Sequence, residues 1–104
     1  MVERRARVTV SVTAPCRLSV AGELDLDTSG ELASALAAAS SDGQDVSVDL
    51  SGVTFLDSTG TRVLIRAHEA LAARGATLLI VDASRAVLRT FELSGVLAFF
   101  RLRP

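Results

Sequence analysis

Five consecutive residues, Asp57-Ser58-Thr59-Gly60-Thr61, place a carboxylate, three hydroxyls and a glycine between an apolar lead-in and an apolar run of helical type, in the stretch FLDSTGTRVLI. Three kinds of chemistry fit them. As a helix start, Asp and Ser are favoured capping residues that satisfy the first free amides, and Gly60 with the hydroxyls is turn chemistry. As a catalytic centre, an aspartate after a hydrophobic strand can act as a nucleophile that is phosphorylated in turn. As an acceptor, a serine in the first turn of a helix is exposed, and free amides and the macrodipole there suit an anion. A phosphate adds about −1.5 to −2 charges. Arg62, one turn along from Ser58, is spaced to pair with it, while Asp57 opposes it. The fold should tolerate that phosphate, but a partner packed over it would not. Burying the charge unpaired costs several kcal/mol, and about 1.4 kcal/mol is a factor of ten in binding.

The catalytic reading is the weakest. DSTGT resembles the DKTGT signature of cation-pumping ATPases, but Ser58 stands at the lysine, and the 104-residue chain has no lysine at all. It also lacks the later Gly-Asp-Gly type of acidic cluster that would hold magnesium. No GxxxxGK[ST], GxGxxG or GxSxG pattern occurs. One cysteine, Cys16, and one histidine, His68, make neither a disulfide nor a metal cluster, so no cofactor, no metal and no enzymatic activity are expected. Cys16 reads as a small buried hydrophobe, and His68 as a helix-boundary residue with a satisfied imidazole. A net charge of −1 gives no general attraction to nucleic acid or anionic lipid. No apolar run approaches the ~20 residues of a membrane span. The N-terminal MVERRARVTV turns straight into alternation with no leader-type apolar segment, so a cytoplasmic location is expected.

These residues must be positioned by a single α/β domain covering residues 1–104. The 49% hydrophobic content with 4% aromatics points to an aliphatic core. RVTVSVT (7–13) alternates, with Val8, Val10 and Val12 on one face, and CRLSVAG (16–22) alternates through Leu18 and Val20. Ala14-Pro15 joins them as a hairpin. Thr28 with Glu31 three residues on fits a capping box, and Leu32, Ala35, Leu36 and Ala39 form a helical stripe. DVSVDL (45–50) is a strand, and Ser51-Gly52 reads as a break. From about Thr59 to Arg74 the period is helical, with Val63, Leu64, Ala67, Ala70 and Leu71 inward and Gly75 at a helix-ending position. ATLLIVD (76–82) is a central strand. Ser84 caps a third helix carrying Val87, Leu88 and Phe91, and VLAFFRLR (96–103) reads as a last strand. The order β-β-α-β-α-β-α-β implies a mixed sheet, an opening hairpin plus parallel strands, with helices on one face.

VAGELDLDTSGEL, VSVDLSGVTFLDSTG and ATLLIVDASRAVLRTFELSGV, in that order and spacing, resemble the anti-sigma-factor antagonists of the STAS domain group over about residues 7–102. The resemblance implies a STAS-like mixed sheet with helices on one side. It also implies a partner-switching function. The antagonist binds an anti-sigma factor that is also a serine-protein kinase and so frees a sigma factor. Phosphorylation of the first hydroxyl after the motif aspartate releases it, and a phosphatase resets it. Carried over by position, the acceptor is Ser58, with Thr59 as a neighbouring hydroxyl. Asp57 caps and orients, Gly60 leaves room for close approach, and Gly22-Glu23-Leu24-Asp25 is the segment near the acceptor. The partner surface implied is Gly22, Glu23, Asp25, Asp57, Ser58, Thr59, Gly60, Thr61 and Arg62. The family usually continues as Gly-Leu-Gly where this chain has Gly60-Thr61-Arg62, and many relatives continue past the position of Pro104 into a further helix. Without that helix, surface near Phe99 or Phe100 is expected to favour a homodimer. The second reading is a STAS-type subunit of a lipid-transport ABC system, or a stressosome-like scaffold, with the same helix end as a permanent contact.

Overall fold

The computed structural model describes residues 7–102, so the N-terminal stretch through Ala6 and positions 103 and 104, the first of them the last position of the expected final strand, lie outside the described residues. Alternating β-branched residues build β1 (Val8–Ala14), and Pro15-Cys16 turns the chain into β2 (Arg17–Leu24), its antiparallel neighbour. From there every pairing is parallel. β3 (Val46–Leu56) lies beside β2, β4 (Leu78–Ala83) beside β3, and a short β5 (Arg101–Leu102) beside β4, in the spatial order β1-β2-β3-β4-β5. Helices α1 (Ser29–Ala39), α2 (Ser58–Ala72) and α3 (Arg85–Ser94) make the crossovers.

The three helices pack on one sheet face, as the pattern implied. Leu18, Val20 and Leu24 of β2, Val46, Val48 and Leu50 of β3, and Leu78 and Ile80 of β4 share one buried cluster. Leu32 and Leu36, Leu64 and Leu71, and Val87 and Phe91 complete it from the three helices. The intervening strand residues, among them Thr9, Ser11, Thr13, Ser19, Ser47 and Asp49, lie on the face without helices and are exposed or half-buried. Helix ends follow the sequence closely. Ser84 Oγ accepts the Val87 amide at 3.2 Å. Gly75, at φ +74°, closes α2, with the Ala76 amide donating to the Leu71 carbonyl at 2.9 Å and the Gly75 amide to that of Ala72 at 3.0 Å.

Five local expectations change. Ser51-Gly52 does not break the third strand, because β3 runs on to Leu56 through two bulges against β2. Gly52 makes the first possible: a Cβ there would sit 2.9 Å from Ala21 Cβ and 3.2 Å from the Val20 carbonyl oxygen. Thr28 forms no capping box. Its backbone is already helical (φ −109°, ψ −17°), so its side chain makes no cap bond to the helix. The segment 96–103 is mostly not strand, since Leu97–Phe99 is a 3-10 turn and only Arg101–Leu102 pairs. That turn lets Phe100 stack on Phe91 (centroids 4.8 Å apart) in the core and rests the more exposed Phe99 on the His68 ring at 4.5 Å. The His68 imidazole is not satisfied as expected: Nδ1 is buried with no hydrogen-bond partner among the described residues. Cys16 is half-buried in the turn before β2, its thiol 3.5 Å from Gln44 Oε1.

Candidate functional site at the start of helix α2

The carboxyl ends of β2 and β3 meet the first turn of α2. Leu24 pairs with Leu56, and the Asp57 amide donates to the Leu24 carbonyl at 3.1 Å. This brings Gly22-Glu23-Leu24-Asp25 beside the Asp57–Arg62 turn. Asp57 keeps an extended backbone (φ −107°, ψ −172°), and its Oδ1 accepts the amides of Thr59 (2.9 Å) and Gly60 (3.1 Å). The Thr61 amide already reaches the Asp57 carbonyl at 3.0 Å. Two of the amides expected to be free for an anion, those of Thr59 and Gly60, are therefore taken by the chain's own carboxylate. Ser58 stands outside this arrangement, exposed at the first helical position, with no hydrogen bond from its hydroxyl to the described residues. Thr59 is half-buried. Arg62, one turn on, is exposed and forms no ion pair among the described residues.

Gly60 and Thr61 point the other way. Gly60 is buried, and a Cβ there would lie 2.6 Å from Leu56 Cδ1 and 3.0 Å from Leu24 Cβ. The close approach it allows is to β2 and β3 within the molecule. Thr61 is 5% exposed, and its hydroxyl donates back to the Asp57 carbonyl at 2.9 Å. Gly22 is likewise turned to an internal task. At φ +101°, a Cβ would fall 2.2 Å from the Arg7 carbonyl oxygen, so only glycine lets β1 pass there. Three of the nine expected contact positions thus shape the site from beneath.

Beside it lies an ionic cluster that the sequence did not signal. Arg7 reaches Glu23 (2.9 Å), Asp25 and Asp27 (3.4 Å). Asp25 Oδ1 also accepts the amides of Asp27 and Thr28 at 3.0 and 3.1 Å. The Thr28 hydroxyl lies within bonding distance of both the Glu23 carbonyl (2.6 Å) and Asp25 Oδ1 (3.1 Å). Burial acts to raise the Asp25 carboxyl, but the Thr28 hydroxyl, the two amides and Arg7 outweigh it and hold the group below its ordinary value. The hydrogen bond to Glu23 holds the Arg7 guanidinium above its own, against the opposing effect of burial. On the open sheet face, bonds from Ser51 keep Asp49 low as well.

Two exposed apolar side chains at the same end were also missed. Leu26 is 76% exposed in the β2–α1 loop, and Phe55 is 49% exposed at the end of β3. Phe55 belongs to the apolar lead-in to the Asp57 turn. The second bulge of β3 turns it outward while Val53 and Leu56 stay buried. The signal for Leu26 was its setting between two aspartates in LDLD.

The class of this protein follows from the fold and from comparison with known chains. A family model described as "Mlab, STAS domain" matches residues 8–102, and the chain belongs to the STAS domain family. An anti-sigma-B factor antagonist of Staphylococcus aureus is 35% identical over 80 residues, covering 76% of this chain and 74% of the relative. The one from Bacillus subtilis is 26% identical over 77% of this chain and 73% of the relative. Among solved structures, an anti-sigma factor antagonist from Mycobacterium paratuberculosis superposes with a TM-score of 0.78 at 29% identity, over 93% of this chain and 86% of that one. The unphosphorylated anti-sigma factor antagonist SpoIIAA shares the fold at a TM-score of 0.70, with 16% identity over 93% and 88% of the two chains.

Proposed function

We propose that the protein is an anti-sigma-factor antagonist. It binds an anti-sigma factor with serine-kinase activity when unphosphorylated and is released by phosphorylation at Ser58. The supporting observation is the division of labour in one helical turn. Asp57 accepts the amides of Thr59 and Gly60, which leaves Ser58 the exposed, uncommitted hydroxyl at the rim of the surface. A phosphate there gains little from the helix end and sits next to the Asp57 carboxylate, so it stays directed at solvent or at a partner. The fold is left intact while a docked partner is expelled. The contact surface in this reading is Ser58, Thr59 and Arg62, with Glu23, Asp25 and the flanking Leu26 and Phe55. A phosphatase returns the protein to its binding form. The named relatives above are antagonists, which favours this reading over the transport subunit or scaffold.

The test mixes the protein with candidate serine-kinase anti-sigma factors and ATP, reading phosphate by intact mass and binding by calorimetry. One kinase should add a single phosphate to the wild type and none to Ser58→Ala. Ser58→Asp should fold normally and bind that kinase at least ~10-fold more weakly. Equal labelling of Ser58→Ala, or unaltered affinity of Ser58→Asp, would count against the proposal.

A further inference from the structure

Strand β1 is an outer strand of the sheet, and no described residue pairs with its free side. Free strand edges are templates for another chain, and proteins usually blunt them with charges or proline. Val8–Ala14 reads VTVSVTA and has neither. Its sequence is nearly palindromic about Ser11, with Val10 matching Val12, Thr9 matching Thr13, and Val8 opposite Ala14.

The hydrogen-bond phase agrees with that symmetry. The Glu23 amide donates to the Arg7 carbonyl, and Val8 lies opposite Gly22. In an antiparallel ladder the bonded pairs alternate, so Thr9 and Ser11 face β2, while Val8, Val10 and Val12 turn their N–H and C=O groups to the free edge. A two-fold axis at Ser11 sets Val10 opposite Val12 of a second copy and Val12 opposite Val10. Both pairs then exchange backbone hydrogen bonds. The side chains match too. Val8, Val10 and Val12 share the helix-side face, so valine meets valine across the axis, and on the other face Ser11 meets Ser11, up to the register shift between Val12 and Ala14.

Val12, opposite Leu18 in the ladder, is left 68% exposed within its own chain. The groove beyond Val10 is walled by Gly30, Ser34 and Ala35 of α1, with the acidic Asp27 and Glu31 at its rim. Among the described residues the two ends of the edge carry opposite charge. Arg17 lies across from Ala14 at one end, and Glu23, Asp25 and Asp27 outnumber Arg7 at the other. An antiparallel pairing sets unlike ends together.

We infer that β1 pairs with β1 of a second copy of this chain, antiparallel about Ser11, joining two sheets into one. Such a contact is isologous and closed, so it makes a dimer rather than a fibre. It leaves the Ser58 turn free, because that turn sits at the ends of β2 and β3 and not on the edge.

Sedimentation of the full chain over a concentration series reads the association, and oxidative cross-linking reads the register. The wild type should sediment as a dimer. Val12→Lys should weaken association at least ~10-fold while keeping the far-ultraviolet spectrum and melting temperature of a folded monomer. In a Cys16→Ser background, Ser11→Cys should form a covalent dimer on mild oxidation. Its mate would be itself in a non-bonded pair with Cα atoms about 4.5 Å apart, within disulfide reach. A monomeric wild type overturns the proposal. So does a dimer untouched by Val12→Lys, or one in which Ser11→Cys stays reduced. Loss of Ser58 phosphorylation would leave each of these readings standing, so the two proposals fail separately.

Discussion

Gly60 and Thr61 show how one turn of helix can serve two surfaces. Ser58 and Arg62 face out, while Gly60 and Thr61 seat the same turn on Leu24 and Leu56. Alanine at position 60 should gain up to about 1 kcal/mol of helix propensity. It should lose about 1–3 kcal/mol to overpacking against Leu56 and Leu24. A net loss near 1 kcal/mol is expected for Gly60→Ala in urea unfolding, and a higher midpoint than wild type would contradict the packing described. Sequence reasoning placed the Asp57 cap and the Ser58 hydroxyl in the first turn of α2, where the structure has them. It missed the inward pair because glycine and threonine after Asp-Ser carry ordinary helix-start chemistry whichever way they point. The neighbour that decides the direction, Leu24, is more than thirty positions away in the chain and reaches the turn only through the sheet.

At the scale of elements, the β2–α1 loop is closed by charge where a capping box was expected. Asp25 carries that closure, and the sign of its pH dependence follows from its lowered carboxyl. The unfolded chain takes up the proton near the ordinary value of about 4, before the folded chain does. The stabilisation is therefore complete above about pH 4 and is lost as pH falls through the folded value. Asp25→Asn should accordingly flatten the acid limb of the stability curve below pH 4, measured by thermal melts at stepped pH. An unchanged limb would show that Asp25 contributes nothing there. The raised Arg7 works in the opposite direction and matters only in strong alkali. Helices α2 and α3 were legible because their stripes, Leu64 with Leu71 and Val87 with Phe91, repeat at the helical period, and because Ser84 and Gly75 mark ends that local chemistry alone dictates. The reach of β3 and the shortness of β5 were not legible. Ser51-Gly52 has the composition of a turn, and only β2 alongside makes it a bulge. VLAFF is apolar at every position, so no period tells strand from a 3-10 turn.

At the scale of the molecule, one aliphatic layer between sheet and helices holds everything in place, and Phe91 is its largest fully buried side chain. Phe91→Ala removes both that bulk and the stack on Phe100, and should cost about 3–5 kcal/mol. Against a total of about 5–15 kcal/mol for a domain, guanidinium unfolding should show a large drop, and a loss under 1 kcal/mol would mean the core repacks. The strand that ends in the Ser58 turn, β3, is also the longest and is flanked by partners, with the Leu56 carbonyl accepting from the Thr90 hydroxyl at its tip. Its interior amides should be among the slowest to exchange with heavy water, because they open only with the whole molecule. In the function proposed above, a partner docking there would meet a shape already made and lose little freedom in fastening to it. Tuning of such a complex would then fall on how long it lasts, since rigid docking leaves the arrival rate to diffusion and charge.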